Sequence, residues 1–139
     1  MNERYRQGLD LVSKMMGEKF AAGLAASATS GGFGADIATM AIETAFGSAW
    51  ARPGLTLRDR SLIVISSLIA QRQPEELKNH VRIGLDNGLT PHELQEVLIQ
   101  SIPYVGCPAV SSALLVIVEV LRERGLDGDI QTAKDRGIL

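Results

Sequence analysis

From residue 3 to residue 16 the apolar positions Tyr5, Leu9, Val12, Met15 and Met16 recur every three or four residues. That is the spacing of one helical face, and Gly17 ends it. A small-residue segment, 20–30, follows, and the glycines of Ser30-Gly31-Gly32-Phe33-Gly34 mark a loop. It is not a phosphate cradle, which would need a lysine and a hydroxyl at set positions. Helical spacing resumes over 35–50 through Ile37, Met40, Ala41, Ala45 and Trp50, until Arg52-Pro53-Gly54 stops it.

Thr56 followed by Asp59 reads as a hydroxyl cap with an acid three residues on, opening the run Leu62-Ile63-Val64-Ile65-Ser66-Ser67-Leu68-Ile69-Ala70. The run is long for a strand and has no second strand to pair with, so it predicts a helix. Being apolar on most sides, it is expected at the centre of the fold or between subunits. Pro74 starts the next helix and Asn87-Gly88 stops it. Thr90-Pro91-His92-Glu93 combines a hydroxyl cap, a proline in the first turn and a glutamate at the third helical position, which makes it the best-marked helix start in the chain. A break over 103–108 separates that helix from a last one over 109–124, and the tail from Gly125 reads as a surface terminus. The pattern predicts a single all-α domain, 1–139, of five to seven helices.

Composition narrows the function classes. The chain has 139 residues, 45% of them hydrophobic, a formal charge of -2 and one cysteine, Cys107. This is enough for one sizeable core. No basic surface points to nucleic acid or to an anionic membrane. A single cysteine excludes an intramolecular disulfide and any self-contained cysteine pair. With no signal core and no membrane-length apolar window, a cytoplasmic, soluble protein is expected. The apolar surplus on the central and final helices predicts a homo-oligomer.

The chemistry concentrates in Pro74-Glu75-Glu76-Leu77-Lys78-Asn79-His80-Val81-Arg82-Ile83-Gly84. On a helix, His80 shares a face with Glu76 and Gly84 beside Leu77 and Val81. An acid one turn before can hold the imidazole, and a glycine one turn after leaves room for a ligand. The carboxylate favours the charged imidazole and burial opposes it, so spacing leaves the sign open, and a satisfied core histidine is the alternative. No further histidine is placed to complete a metal site; His92, in the first turn of its helix, belongs in water. Arg52, Arg58 and Arg60 cluster before the apolar helix, as solvated surface or as a means of holding a carboxylate. Glu43 is an edge residue or a proton donor among apolar neighbours. Cys107 reads as a small packing residue.

Taken together, "AFGSAWARPGLTLRDRSLIVISSLIA" and "EELKNHVRIGLDNGLTPHELQEVLIQSIPYVGCPA" resemble the carboxymuconolactone decarboxylase family in order and spacing. "ERYRQGLDLV" and "GFGADIATMAIETAFG" are similar to its decarboxylase branch, so the likeness covers roughly 3–122. The resemblance implies an all-helical fold assembled as trimers or hexamers. It also implies cofactor-free decarboxylation of 4-carboxymuconolactone, or a related carboxylated lactone, in aromatic catabolism by the β-ketoadipate route. His80 and Glu43 are the implied catalytic residues; Arg52, Arg58, Ser61 and Glu76 are the implied substrate-binding residues, and no metal is implied. Alkylhydroperoxidase D-like relatives carry a Cys-x-x-Cys pair before the histidine, where this chain has Gln73 and Glu76, so peroxidase chemistry is not expected. Thr44 and Phe46 stand where Tyr and Trp are common, and Ser111 where Asn is common, which bears on the substrate. The competing expectations are an isomerase-like enzyme for another lactone or enolisable acid, and a non-catalytic oligomer that binds a small ligand.

Overall fold

The computed structural model describes residues 1–138. Among them every regular element is helical. In order these are α1 Glu3–Met16, α2 Glu18–Thr29, α3 Ala35–Met40, a π-helical segment Ala41–Trp50 continuous with α3, α4 Leu57–Ala70, α5 Pro74–Asp86, α6 Pro91–Val105 and α7 Cys107–Glu123. The chain divides into two compact units, Met1–Leu57 and Arg58–Leu139.

In the first unit α1 begins at Asn2, whose Oδ1 accepts the Tyr5 amide at 2.9 Å. Its inner face is Tyr5, Gly8, Val12 and Met15, matching the predicted spacing. The small-residue segment, not predicted as a helix, is α2. It buries only Ala21, so its alanines form a helix by intrinsic preference more than by an apolar face. The helix expected over 35–50 changes pitch at Ala41. Its bonds then reach one residue further: the Ala51 amide donates to the Phe46 carbonyl at 3.1 Å. π-Helices seldom exceed one turn, and this one runs for ten residues. It lies against α1 with backbones almost touching. A Cβ placed on Gly47 would stand 2.0 Å from the Arg4 carbonyl oxygen, and one on Gly8 would stand 2.1 Å from that of Ile42. Only glycine fits on either side.

The second unit is built on aliphatic side chains. Ile65 and Ile69 of α4, Leu77 and Val81 of α5, Leu94 and Leu98 of α6, and Ile117, Val120 and Leu121 of α7 form one buried cluster. α5 and α7 run parallel: Lys78 pairs with Glu119 at 3.1 Å and Arg82 with Glu123 at 2.8 Å, four residues on in each helix. Of the two places expected for α4, the centre of the fold is not the one seen: it buries Ser61, Ile65 and Ile69 only, and Ile63 is 54% exposed, so it packs on one face and is not enclosed within the chain. At the start of α6 both halves of the predicted capping box form: Thr90 Oγ1 accepts the Glu93 amide and Glu93 Oε1 accepts the Thr90 amide, each at 3.1 Å. The break expected over 103–108 is narrower than predicted. Pro103 lies inside α6, and the chain turns only at Gly106, whose φ of 89° suits glycine. The tail is anchored to α7: Arg122 pairs with Asp127 and Asp135, and Asp135 accepts from the amide and hydroxyl of Thr132. These donors hold the Asp135 carboxyl well below the ordinary range, at about 2.

Candidate active site

α5 carries His80 inward for a reason visible in its pattern. Lys78, Arg82 and Asp86, four residues apart, are tied to α7 by Glu119, Glu123 and Arg124, which fixes the rotation of the helix. Leu77, His80, Val81, Ile83 and Gly84 are then the buried positions. His80 is 9% exposed, with Nδ1 shut away from solvent. Burial pushes its pKa below the ordinary 6.5, and the Glu76 carboxylate, on the exposed side of α5, opposes this with the smaller effect. Of the two opposing effects that spacing left open, burial is the larger, and it favours the neutral imidazole.

Gly84 corrects the sequence reading. A Cβ there would meet Leu89 Cδ1 at 2.9 Å, Ile65 Cδ1 at 3.0 Å and Ser61 Cβ at 3.6 Å. The space beside Gly84 is already filled, so this glycine serves close packing of α4 on α5 instead of leaving room for a ligand. Ser61 is fully buried at the same contact, and its Oγ accepts from Asn87 Nδ2 at 3.0 Å. Ser61, Gly84 and Asn87 thus join the start of α4 to the end of α5, the helix that holds His80.

Arg58, in the first turn of α4, is half-buried and pairs with Asp59 at 3.2 Å and with Glu93 Oε2. Glu93 does two jobs, closing the α6 cap with one oxygen and holding the arginine with the other. The sequence reading missed both Asn87 and Glu93 as partners, because it took Asn87 for a helix stop and Glu93 for a cap; neither role hints at the second one.

In the first unit Glu43 is half-buried in the first turn of the π-helix, and its Oε1 accepts from Asn2 Nδ2 at 2.8 Å. Its main-chain carbonyl accepts from the Ser48 hydroxyl at 2.8 Å. Arg52 is exposed in the turn after the π-helix. Thr44 is exposed and bonded to the Met40 carbonyl at 2.6 Å, Phe46 is half-buried, and Ser111 is exposed on α7. Cys107, expected as a packing residue, is exposed at the start of α7. His92 is exposed as expected, 3.9 Å from Glu96. No cluster of three or more metal-ligating His, Cys, Asp or Glu side chains occurs among the described residues, and no described helix is long and apolar enough to cross a membrane.

The sequence model of the carboxymuconolactone decarboxylase family matches residues 35–119, from the start of α3 through most of α7. The chain belongs to the carboxymuconolactone decarboxylase family. It is similar to a 4-carboxymuconolactone decarboxylase of Acinetobacter baylyi, 33% identical over 124 residues that make up 89% of this chain and 91% of the relative. It is also similar to a nitrosuccinic acid decarboxylase of Metarhizium robertsii, 33% identical over 81 residues, 58% of this chain and 57% of that relative. The matched stretch includes Glu43, Arg52, Arg58 and His80. Asn2 and the rest of α1 lie before the stretch that it covers.

Proposed function

We propose that the protein is a cofactor-free carboxy-lyase acting on 4-carboxymuconolactone or a related carboxylated lactone. The observation that carries the reading is the burial of His80 on α5, in a member of a family that includes proteins named decarboxylases.

Decarboxylation breaks one carbon–carbon bond and leaves its electron pair on the substrate while neutral carbon dioxide departs. In 4-carboxymuconolactone the pair spreads through the ring double bond to the lactone carbonyl, so an oxygen gains negative charge. A neutral imidazole N–H can donate to that oxygen, and a dry setting strengthens the bond as the charge develops. A proton taken from solvent must then reach the ring carbon, and we assign Glu43 as the group that passes it on, regaining one from water for the next turnover. Arg52 and Arg58 are assigned to the substrate's carboxylates, with Arg58 held by Glu93. Ser61 and Glu76 are assigned to supporting His80, the first by fixing α4 to α5 and the second by orienting the imidazole from one turn before it. Each well-placed group contributes about 3–5 kcal/mol of barrier lowering.

The second relative favours a range wider than lactones. Nitrosuccinic acid also carries a carboxylate beside an electron acceptor, the nitro group, which takes the electron pair as the lactone does. Self-association belongs to the same reading: Ile63 on α4, Ile99 and Ile102 on α6, and Leu114 and Leu115 on α7 are apolar and exposed, as expected of a homo-oligomer.

The test is carbon dioxide release with product mass, from 4-carboxymuconolactone and from nitrosuccinate, for wild type and His80→Ala. Release from either acid that disappears in the variant supports the reading. A product of unchanged mass would make the enzyme an isomerase, and full turnover by His80→Ala would remove the histidine from the mechanism.

A further inference from the structure

We propose that Asn2 is a positioning residue for Glu43, so that the cap of the first helix also aims the carboxylate assigned to proton transfer. The inference rests on that assignment of Glu43.

Three contacts carry it, all within the first unit. Asn2 Oδ1 accepts the Tyr5 amide at 2.9 Å, which caps α1. That bond fixes which end of the side-chain amide is oxygen, because a backbone N–H needs an acceptor. The other end is therefore the donor, and Nδ2 lies 2.8 Å from Glu43 Oε1. The Glu43 main chain is held in turn by Ser48, whose hydroxyl donates 2.8 Å to the Glu43 carbonyl across the wide π turn. The two helices cannot slide apart without losing a glycine contact at which a Cβ would stand about 2 Å from a carbonyl oxygen. Asn2 thus joins two rigidly apposed elements, engaging one carboxylate oxygen and leaving the other to exchange a proton.

The geometry offers variants that separate capping from aiming. Serine and aspartate both cap helices about as well as asparagine. Asn2→Ser keeps the cap but is too short to reach Glu43. Asn2→Asp keeps the cap, removes the N–H donor and sets a second carboxylate against the first. With 4-carboxymuconolactone as probe, Asn2→Ser is expected to lower kcat by about tenfold with KM changed by less than about twofold, because a misaimed group costs rate before it costs binding. Asn2→Asp is expected to lower kcat further and to move the pH profile of kcat upward, since like charges favour protonation. Circular dichroism and Tm should stay at wild-type values in both.

Wild-type kcat in Asn2→Ser together with a dead Glu43→Gln would overturn the inference and leave the role of Glu43 standing. A fully active Glu43→Gln would overturn that role and the inference with it. A second measurement does not depend on turnover. The Asn2 side-chain amide pair in a 1H–15N correlation spectrum should shift in Glu43→Gln, and an amide pair indifferent to that substitution refutes the contact.

Discussion

In the first unit helices meet through glycine; in the second they meet through branched aliphatic side chains. α1 and the π-helix bring carbonyl oxygens to where a Cβ would have to stand, at Gly8 and Gly47. α4 to α7 keep their backbones apart with Ile65, Leu77, Leu94, Ile117 and Leu121, which interdigitate. The two modes fail differently. A backbone contact has no rotamer with which to adjust, whereas an aliphatic core relaxes in part around a change.

The largest expected effect is therefore the addition of one methyl group. Gly47→Ala sets its Cβ 2.0 Å from the Arg4 carbonyl oxygen. We expect a loss of about 4 kcal/mol or more, or failure to fold, read by urea unfolding. A mild effect would mean that α1 and the π-helix separate at little cost. Next in size is Leu94→Ala, a large-to-small change at a fully buried position in the second unit, at about 3 kcal/mol.

Gly84→Ala sharpens the contrast, because the same substitution meets side-chain ends in place of backbone. Leu89 Cδ1 and Ile65 Cδ1 stand at 2.9 and 3.0 Å and can swing away. Alanine also gains about 1 kcal/mol of helix preference, so the net change is expected within about 1 kcal/mol of zero. A loss as large as that of Gly47→Ala would show that α4 and α5 are as unyielding as the first unit.

The smallest effect is a slope with pH. His80 holds a proton less readily when folded than when unfolded, so the unfolded chain binds more protons as pH falls below 6.5. The stability associated with the neutral imidazole is complete above pH 6.5. It declines as pH falls from there to the lowered folded value. His80→Gln should flatten that part of the curve of Tm against pH, and an unchanged curve would mean that folding does not lower the His80 pKa.

Much of the helical layout was legible because it is local. Tyr5, Val12 and Met15 declare the buried face of α1, and Thr90, Pro91 and Glu93 declare the start of α6. α2 was missed because an alanine-rich helix with one buried residue carries little apolar periodicity. The π-helix was missed because a shift from fourth to fifth neighbour leaves the hydrophobic pattern nearly unchanged over ten residues. Pro103 was read as a break because a ring that costs one hydrogen bond often ends a helix, yet α6 passes through it. At the candidate site, spacing alone put His80 and its neighbours on the inner face of α5, and the family resemblance singled the histidine out. Their partners from other helices, Asn87 on Ser61 and Glu93 on Arg58, could not.

By itself the sequence determined the helices that carry strong caps and stripes, the absence of a cysteine pair, and a histidine placed on the inner face of its helix. Those follow from interactions within a few residues, which spacing encodes directly. Only the tertiary structure decided that the space beside Gly84 is filled, that His80 loses more from desolvation than it gains from Glu76, and that Asn2 reaches Glu43. Each of these depends on the distance between residues far apart in the chain, or on how completely other helices exclude water, and the order of residues does not state either.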